Sequence, residues 1–156
     1  MDVCALVISI LAFAFSVLQF LCEASRQKKE STLNAYNELQ NDVFSQLNKY
    51  PNPMPHIEYM SDEWETITVY LAKLERFSVG LNTGVYSVDV VNRIGGSYYI
   101  RQFEKLKDVI EVKKKKNVAK GKHYDEFEES VKMLIQYRKS KCKFIQKIKI
   151  FLKTRF

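Results

Sequence analysis

Residues 3–22 read VCALVISILAFAFSVLQFLC, twenty positions without a charge. At 1.5 Å per residue such a helix is about 30 Å long, the thickness of a bilayer's hydrocarbon core. Its polar members are Ser9, Ser16 and Gln19. A helix satisfies serines through its own carbonyls, and Gln19 lies near the end, where headgroups begin. A cleaved signal peptide needs a basic start and small residues before the cut. Met1-Asp2 supplies no base, and the run ends on Gln19-Phe20-Leu21-Cys22. Phe20 and Leu21 are also too bulky for a lipoprotein site. Residues 1–25 are therefore expected to be an uncleaved transmembrane signal-anchor.

The flanks set an orientation. Asp2 precedes the span, and Arg26, Lys28 and Lys29 follow it. The positive-inside rule puts the C-terminal side in the cytoplasm, with a short N-terminus outside. The expected address is the inner (plasma) membrane, single-pass. The three cysteines, Cys4, Cys22 and Cys142, are too few and too scattered for a disulfide framework, and a reducing compartment suits the lone Cys142 beyond the span.

Beyond the span the pattern is helical. Leu33, Tyr36, Leu39 or Gln40, Val43, Phe44 and Leu47 follow three-and-four spacing. Nothing between Cys22 and Leu33 breaks a helix, so the span can run on as a stalk. All three prolines, Pro51, Pro53 and Pro55, then stop it. Ser61 or Asp62 can cap the next helix, whose stripe is Trp64, Ile67, Tyr70 or Leu71, Leu74, Phe77 or Ser78, and Leu81. Residues 80–87, GLNTGVYS, read as a break, with Gly80 or Asn82 closing the helix and Gly84 making a second turn. Ser87 or Asp89 can cap a long helix from Val90 to about Val112. Its expected stripe is Val90, Ile94, Tyr98, Arg101 or Gln102, Leu106 and Val109 or Ile110, with Gly95-Gly96 inside it at a close helix contact. A last helix begins near Tyr124 and carries Phe127, Val131, Leu134, Ile135, Cys142, Ile145, Ile148 and Leu152. No strand pattern or internal repeat is evident, and 5 Gly with 3 Pro are too few for a sandwich or barrel. The expected fold is all-α: a transmembrane helix continuing toward a cytosolic bundle of about four helices. Its parts are the anchor at 1–25, the helical domain at 26–137 and a basic amphipathic extension at 138–156.

Charge is divided between the two halves. Residues 1–100 hold 7 basic and 11 acidic groups, and residues 101–156 hold 18 and 7. No acid follows Glu129, whereas nine Lys and Arg do. Such asymmetry points to an anionic partner. In the extension Lys143, Lys147, Lys149 and Lys153 alternate with Ile145, Ile148 and Phe151. A basic face beside an apolar one suits anionic lipid headgroups on the inner leaflet, where each Lys near the surface is worth about 1 kcal/mol. A long solvated helix end, or a coiled-coil seam with another copy, competes equally. Nucleic acid is not favoured, because the Ile and Phe residues add nothing to phosphate binding.

Chemistry-bearing residues concentrate between positions 71 and 101. Glu75 with Arg76, and Asp89 with Arg93, read as charge pairs; Asn82 and Tyr86 lie between them. Arg76 and Arg93, with Arg101, offer a clamp for phosphate or carboxylate. A structural network fixing two helices across the 80–87 turn is the stronger reading, since no nucleophile or base accompanies the arginines. His56 and His123 have no second ligand at helical spacing. No catalytic residue, metal site or cofactor is expected, and the 20 aromatics fall mostly on helical stripes, as core residues do.

The segment Leu74-Glu75-Arg76-Phe77-x-Val79-Gly80-x-Asn82-Thr83-Gly84-Val85-Tyr86, followed by Asp89 and Gly96-Ser97-Tyr98, resembles the hallmark of an uncharacterised bacterial family. Its members are small proteins with one N-terminal span and a helical cytosolic domain. The resemblance covers roughly residues 26–137, with the Lys-rich segment after Tyr137 expected past its end. It implies a fold and a topology and no activity. The function expected is a membrane-anchored interaction or regulatory module of unknown partner, the lipid bilayer apart: a protein or a second copy. The alternatives are an enzyme or sensor holding a phosphorylated or nucleotide ligand on the Arg cluster, and nucleic-acid binding by the tail.

Overall fold

The computed structural model describes residues 3–116 and 124–153, with side chains described for residues 6–116 and 124–142. Among these every regular element is helical, as the sequence leads one to expect. Helix α1 (Val3–Leu39) passes without a hinge through one π-helical turn, Gln40–Phe44, into a last α turn, Ser45–Leu47. Helix α2 (Asp62–Asn82), the short α3 (Val88–Ile94), α4 (Gly96–Lys116) and α5 (Asp125–Lys153) complete the domain. His123 lies outside the described residues, as do the side chains of Lys143, Ile145, Lys147, Ile148, Lys149, Phe151 and Lys153, whose backbone is helical.

One helix does two jobs. Residues 6–31 are exposed on every side, Phe13 and Phe20 each to 72%. A bare apolar cylinder of this kind has no place in water, and this helix is long and apolar enough to cross a membrane. From Thr32 onward the same helix is core. Thr32 is fully buried; its hydroxyl donates to the Lys28 carbonyl (2.6 Å) and accepts the Ser87 N–H (2.8 Å). Tyr36, Leu39, Val43, Phe44 and Leu47 follow it into the core. The expected face is corrected at Leu33, which is 41% exposed, with Thr32 in its place. The π turn was not foreseen; Val43 and Phe44, both on the expected face, are buried in it.

The core is strung on aromatic rings. Phe44, Tyr36, Phe77, Tyr99, Phe127 and Phe103 meet in succession at centroid distances of 5.1–6.1 Å, mostly edge-on. They link α1 through α2 and α4 to α5. Tyr99 is fully buried, its hydroxyl bonded to Ser78 (2.6 Å) and Ser130 (3.0 Å).

Two glycines behave differently from expectation. Gly80 does not end α2. It stays helical, and the Tyr86 ring lies so close that a Cβ there would meet ring carbons at 2.4 Å. Helix α2 closes at Asn82, the other end the sequence offers, and Gly84, at φ +76°, makes the turn expected of it, in a conformation costly for any side chain. The long helix expected from Val90 to Val112 is two helices, because Gly95 interrupts it. A Cβ on Gly95 would fall 1.9 Å from the Tyr36 hydroxyl, which donates to the Gly95 carbonyl at 3.1 Å. The close contact expected at the glycine pair is real, but it breaks the helix. The break also resets the phase, so that Val91 and Tyr99 are buried, whereas Ile94 is 41% exposed.

Candidate functional site

The residues expected to form one cluster are distributed over three places, each tied to a helix end or a cleft. The first is the start of α5. Glu75, on the exposed-to-buried margin of α2, turns away from Arg76 and accepts the backbone N–H groups of Phe127 (2.9 Å) and Glu126 (3.2 Å). These are among the first-turn donors that a helix cannot satisfy itself. One helical stretch on, Asn82 donates to the Glu126 carbonyl (2.9 Å) and carboxylate (2.7 Å). Burial pushes the Glu75 carboxyl above its ordinary pKa, while the two N–H bonds pull against it. Glu75 thus caps α5 from a neighbouring helix, and Asn82 ties the same first turn to α2.

The second place is Asp89, in the first turn of α3. It pairs with Arg93 one turn later (2.8 Å) and reaches across to α5, where Lys141 and the Tyr137 hydroxyl each approach to 2.7 Å. Arg138 donates to Asn92 beside it (2.5 Å). The hydrogen bond from Lys141, then that from Tyr137, holds the Asp89 carboxyl well below the usual carboxylate range. With its folded pKa below the unfolded one, Asp89 contributes stability that is present above about pH 4 and is lost as acid protonates it. The side chain is 34% exposed, so water screens the pairs and the loss is modest. Asp89→Asn is expected to flatten that acid dependence and to speed amide exchange over residues 137–141. Exchange unchanged there would mean that the contacts hold nothing.

The third place is a cleft of about 150 Å³ between α1 and α2, lined by Ala35, Glu38, Leu39, Asp42, Lys73, Arg76, Phe77 and Tyr86. Lys73 and Asp42 pair across it at 2.7 Å. Tyr86 stacks on Phe77 with ring centroids 5.1 Å apart. Arg76 is exposed and makes no ion pair among the described residues. The structure does not bring Arg93 into this cleft; its Nε is committed to Asp89. Arg101 is exposed on α4 and lines neither place. A two-arginine clamp is therefore not assembled. Among the described residues no three His, Cys, Asp or Glu side chains gather as a metal site.

Sequence reasoning missed Lys105. It is 8% exposed, and its ammonium donates to the carbonyls of Leu47 (2.6 Å) and Tyr50 (2.7 Å), closing the C-terminal end of the first helix. Burial lowers its pKa. A lysine on a stripe with Gln102, Leu106 and Val109 was the available signal, since a charge on a buried face needs a partner. Tyr137, Arg138 and Lys141 were missed as ties for want of any pattern linking them to Asp89.

What this arrangement does chemically is join helices. Glu75 satisfies a helix end and Asp89 bridges two helices, and of the residues expected to form the cluster only Arg76 and Tyr86 line the cleft. A family model for a domain of unknown function, DUF4760, matches residues 5–151, taking in the span and most of the tail as well as the 26–137 stretch that carries the resemblance. No curated protein and no solved structure matches. With nearly the whole chain matched, this protein belongs to the DUF4760 family, a domain of unknown function.

Proposed function

We propose that this protein is a single-pass, membrane-anchored interaction or regulatory module. Its helical domain stands on the cytoplasmic side of the inner membrane, its N-terminus lies outside, and its basic tail serves the anionic inner leaflet. The observation that carries this reading is the unbroken first helix. A rigid rod that is bare from residue 6 to 31 and core from Thr32 fixes the domain at a set height above whatever surface the apolar part enters. Arg26, Lys28 and Lys29 at its exit favour the cytoplasmic orientation. The absence of an assembled clamp weighs against an enzyme. The partner is a protein or a second copy.

A second reading, a sensor of a phosphorylated or nucleotide ligand, has one observation in its favour: the exposed guanidinium of Arg76 beside the stacked Phe77 and Tyr86. One arginine without a base or metal supports binding at most. Nucleic-acid binding has only the tail's charge behind it.

The anchor is tested by alkaline carbonate extraction of membranes from expressing cells. The full chain is expected to stay in the pellet, and a chain lacking residues 3–22 to leave it. Full-length protein in the alkaline supernatant would overturn the reading.

A further inference from the structure

The contacts of α1 and α5 with the α3–α4 layer fix their directions. Along α1, Thr32 meets Ser87, Tyr36 meets Gly95, and Leu47 meets Lys105, so both numberings rise together. Along α5 the partners fall: Phe127 meets Phe103, Ser130 meets Tyr99, Arg138 meets Asn92, and Lys141 meets Asp89. Helices α1 and α5 are therefore antiparallel, and the C-terminal end of α5 points the same way as the membrane-spanning end of α1.

Their lengths match as well. Gly95, which meets Tyr36, and Asn92, which meets Arg138, lie one turn apart, so the α5 tie sits about 5 Å nearer the span and the two levels agree to within that turn. From Tyr36 back to Cys22, at the inner end of the span, α1 rises about 21 Å, at 1.5 Å per residue. From Arg138 to Lys153, α5 rises about 22 Å by the same measure. Residues 20–31 of α1 are exposed throughout, so α5 does not lie along the stalk; α3 stands between the two. The last 11 positions of α5, residues 143–153, hold four lysines and no acid.

We propose that α5 meets the inner leaflet with its tip, so that the domain stands on two legs: α1 through the bilayer, and residues 149–153 against anionic phospholipid headgroups. This rests on the reading of α1 as the anchor, and it sharpens the expectation of a tail lying flat. A flat amphipathic helix buries an apolar face along its whole length. A helix arriving end-on brings only its last turns to the headgroups and leaves Ile145 short of them. The pairs of Asp89 with Lys141 and Tyr137 set the angle of the second leg, since they are the last described ties between α5 and the bundle.

The test is a cysteine scan of the full chain reconstituted in phosphatidylglycerol-containing vesicles. With Cys4 and Cys22 replaced by Ser, and Cys142 as well wherever it is not itself the probe, single cysteines at successive positions 142–153 carry an environment-sensitive dye. The expected result is no response at 142–146 and a blue-shifted, brighter signal at every position from about 150 on, whatever its face. That signal should fall in high salt, in pure phosphatidylcholine and in K149Q/K153Q. A response recurring every three to four residues along the whole stretch would show a flat helix and overturn the proposal. So would silence throughout, or a signal indifferent to lipid charge. A dye at position 13 (F13C) separates the two levels of the argument. If it reports a bilayer interior while the tail is silent, only the tip contact fails; if it does not, the anchor fails and the tip with it.

Discussion

Glu75→Ala is expected to lower the unfolding free energy of the full chain in detergent micelles by about 2–4 kcal/mol. The physical reason is asymmetric: alanine removes one carboxylate but orphans two donors. The N–H groups of Glu126 and Phe127 lie in the first turn of α5, where the helix itself supplies no acceptor. Each part-buried donor left without a partner costs about 1–3 kcal/mol. Glu75→Gln keeps one acceptor oxygen in place and should cost roughly half as much. Urea titration followed by circular dichroism reads both. A ligand-site role would show the reverse pattern, with stability kept and a binding activity lost. Alanine and wild type sharing one midpoint would dismiss the capping role.

How much of this was legible in the residues varies with the range of the interaction. The stripe of α2 reads correctly from Trp64 to Leu81, because an uninterrupted helix keeps its phase and its cap, Ser61, precedes it in sequence. The phase was misread from Val90 to Tyr98 because Gly95 breaks the helix there, and the expected stripe holds again at Gln102, Leu106, Val109 and Ile110. What breaks the helix is the hydroxyl of Tyr36, 59 positions away, which no local pattern displays. Gly80 read as a helix end for a similar reason. Its missing side chain makes room for Tyr86, and a glycine that accommodates a ring looks in sequence like one that makes a turn.

The charged cluster divides on the same line. Asp89 and Arg93 pair as their spacing suggests, since residues four apart share a helix face. Glu75 and Arg76 are neighbours in sequence and point apart on a helix, so one finds the start of α5 and the other the cleft beside α1. The partners that decide the roles of Glu75, Asn82 and Asp89 all come from α5, more than forty residues downstream. Only the fold brings them there. The family match, reaching residue 151, likewise extends past the Tyr137 limit expected of the resemblance, and α5 crosses that point without a break.

The largest effect of all is a matter of side, and it is all or none. If the first helix is both anchor and core, the side of the membrane on which Arg26, Lys28 and Lys29 emerge is the side of the whole domain, because no hinge separates them from Thr32. Cys142 reports that side: it is a free, exposed thiol on α5. In a variant with Cys4 and Cys22 replaced by Ser it is the sole thiol of the chain. Intact spheroplasts treated with a membrane-impermeant maleimide should leave Cys142 unlabelled, and the same cells opened by detergent should label it fully. Labelling of Cys142 in intact spheroplasts would contradict the account.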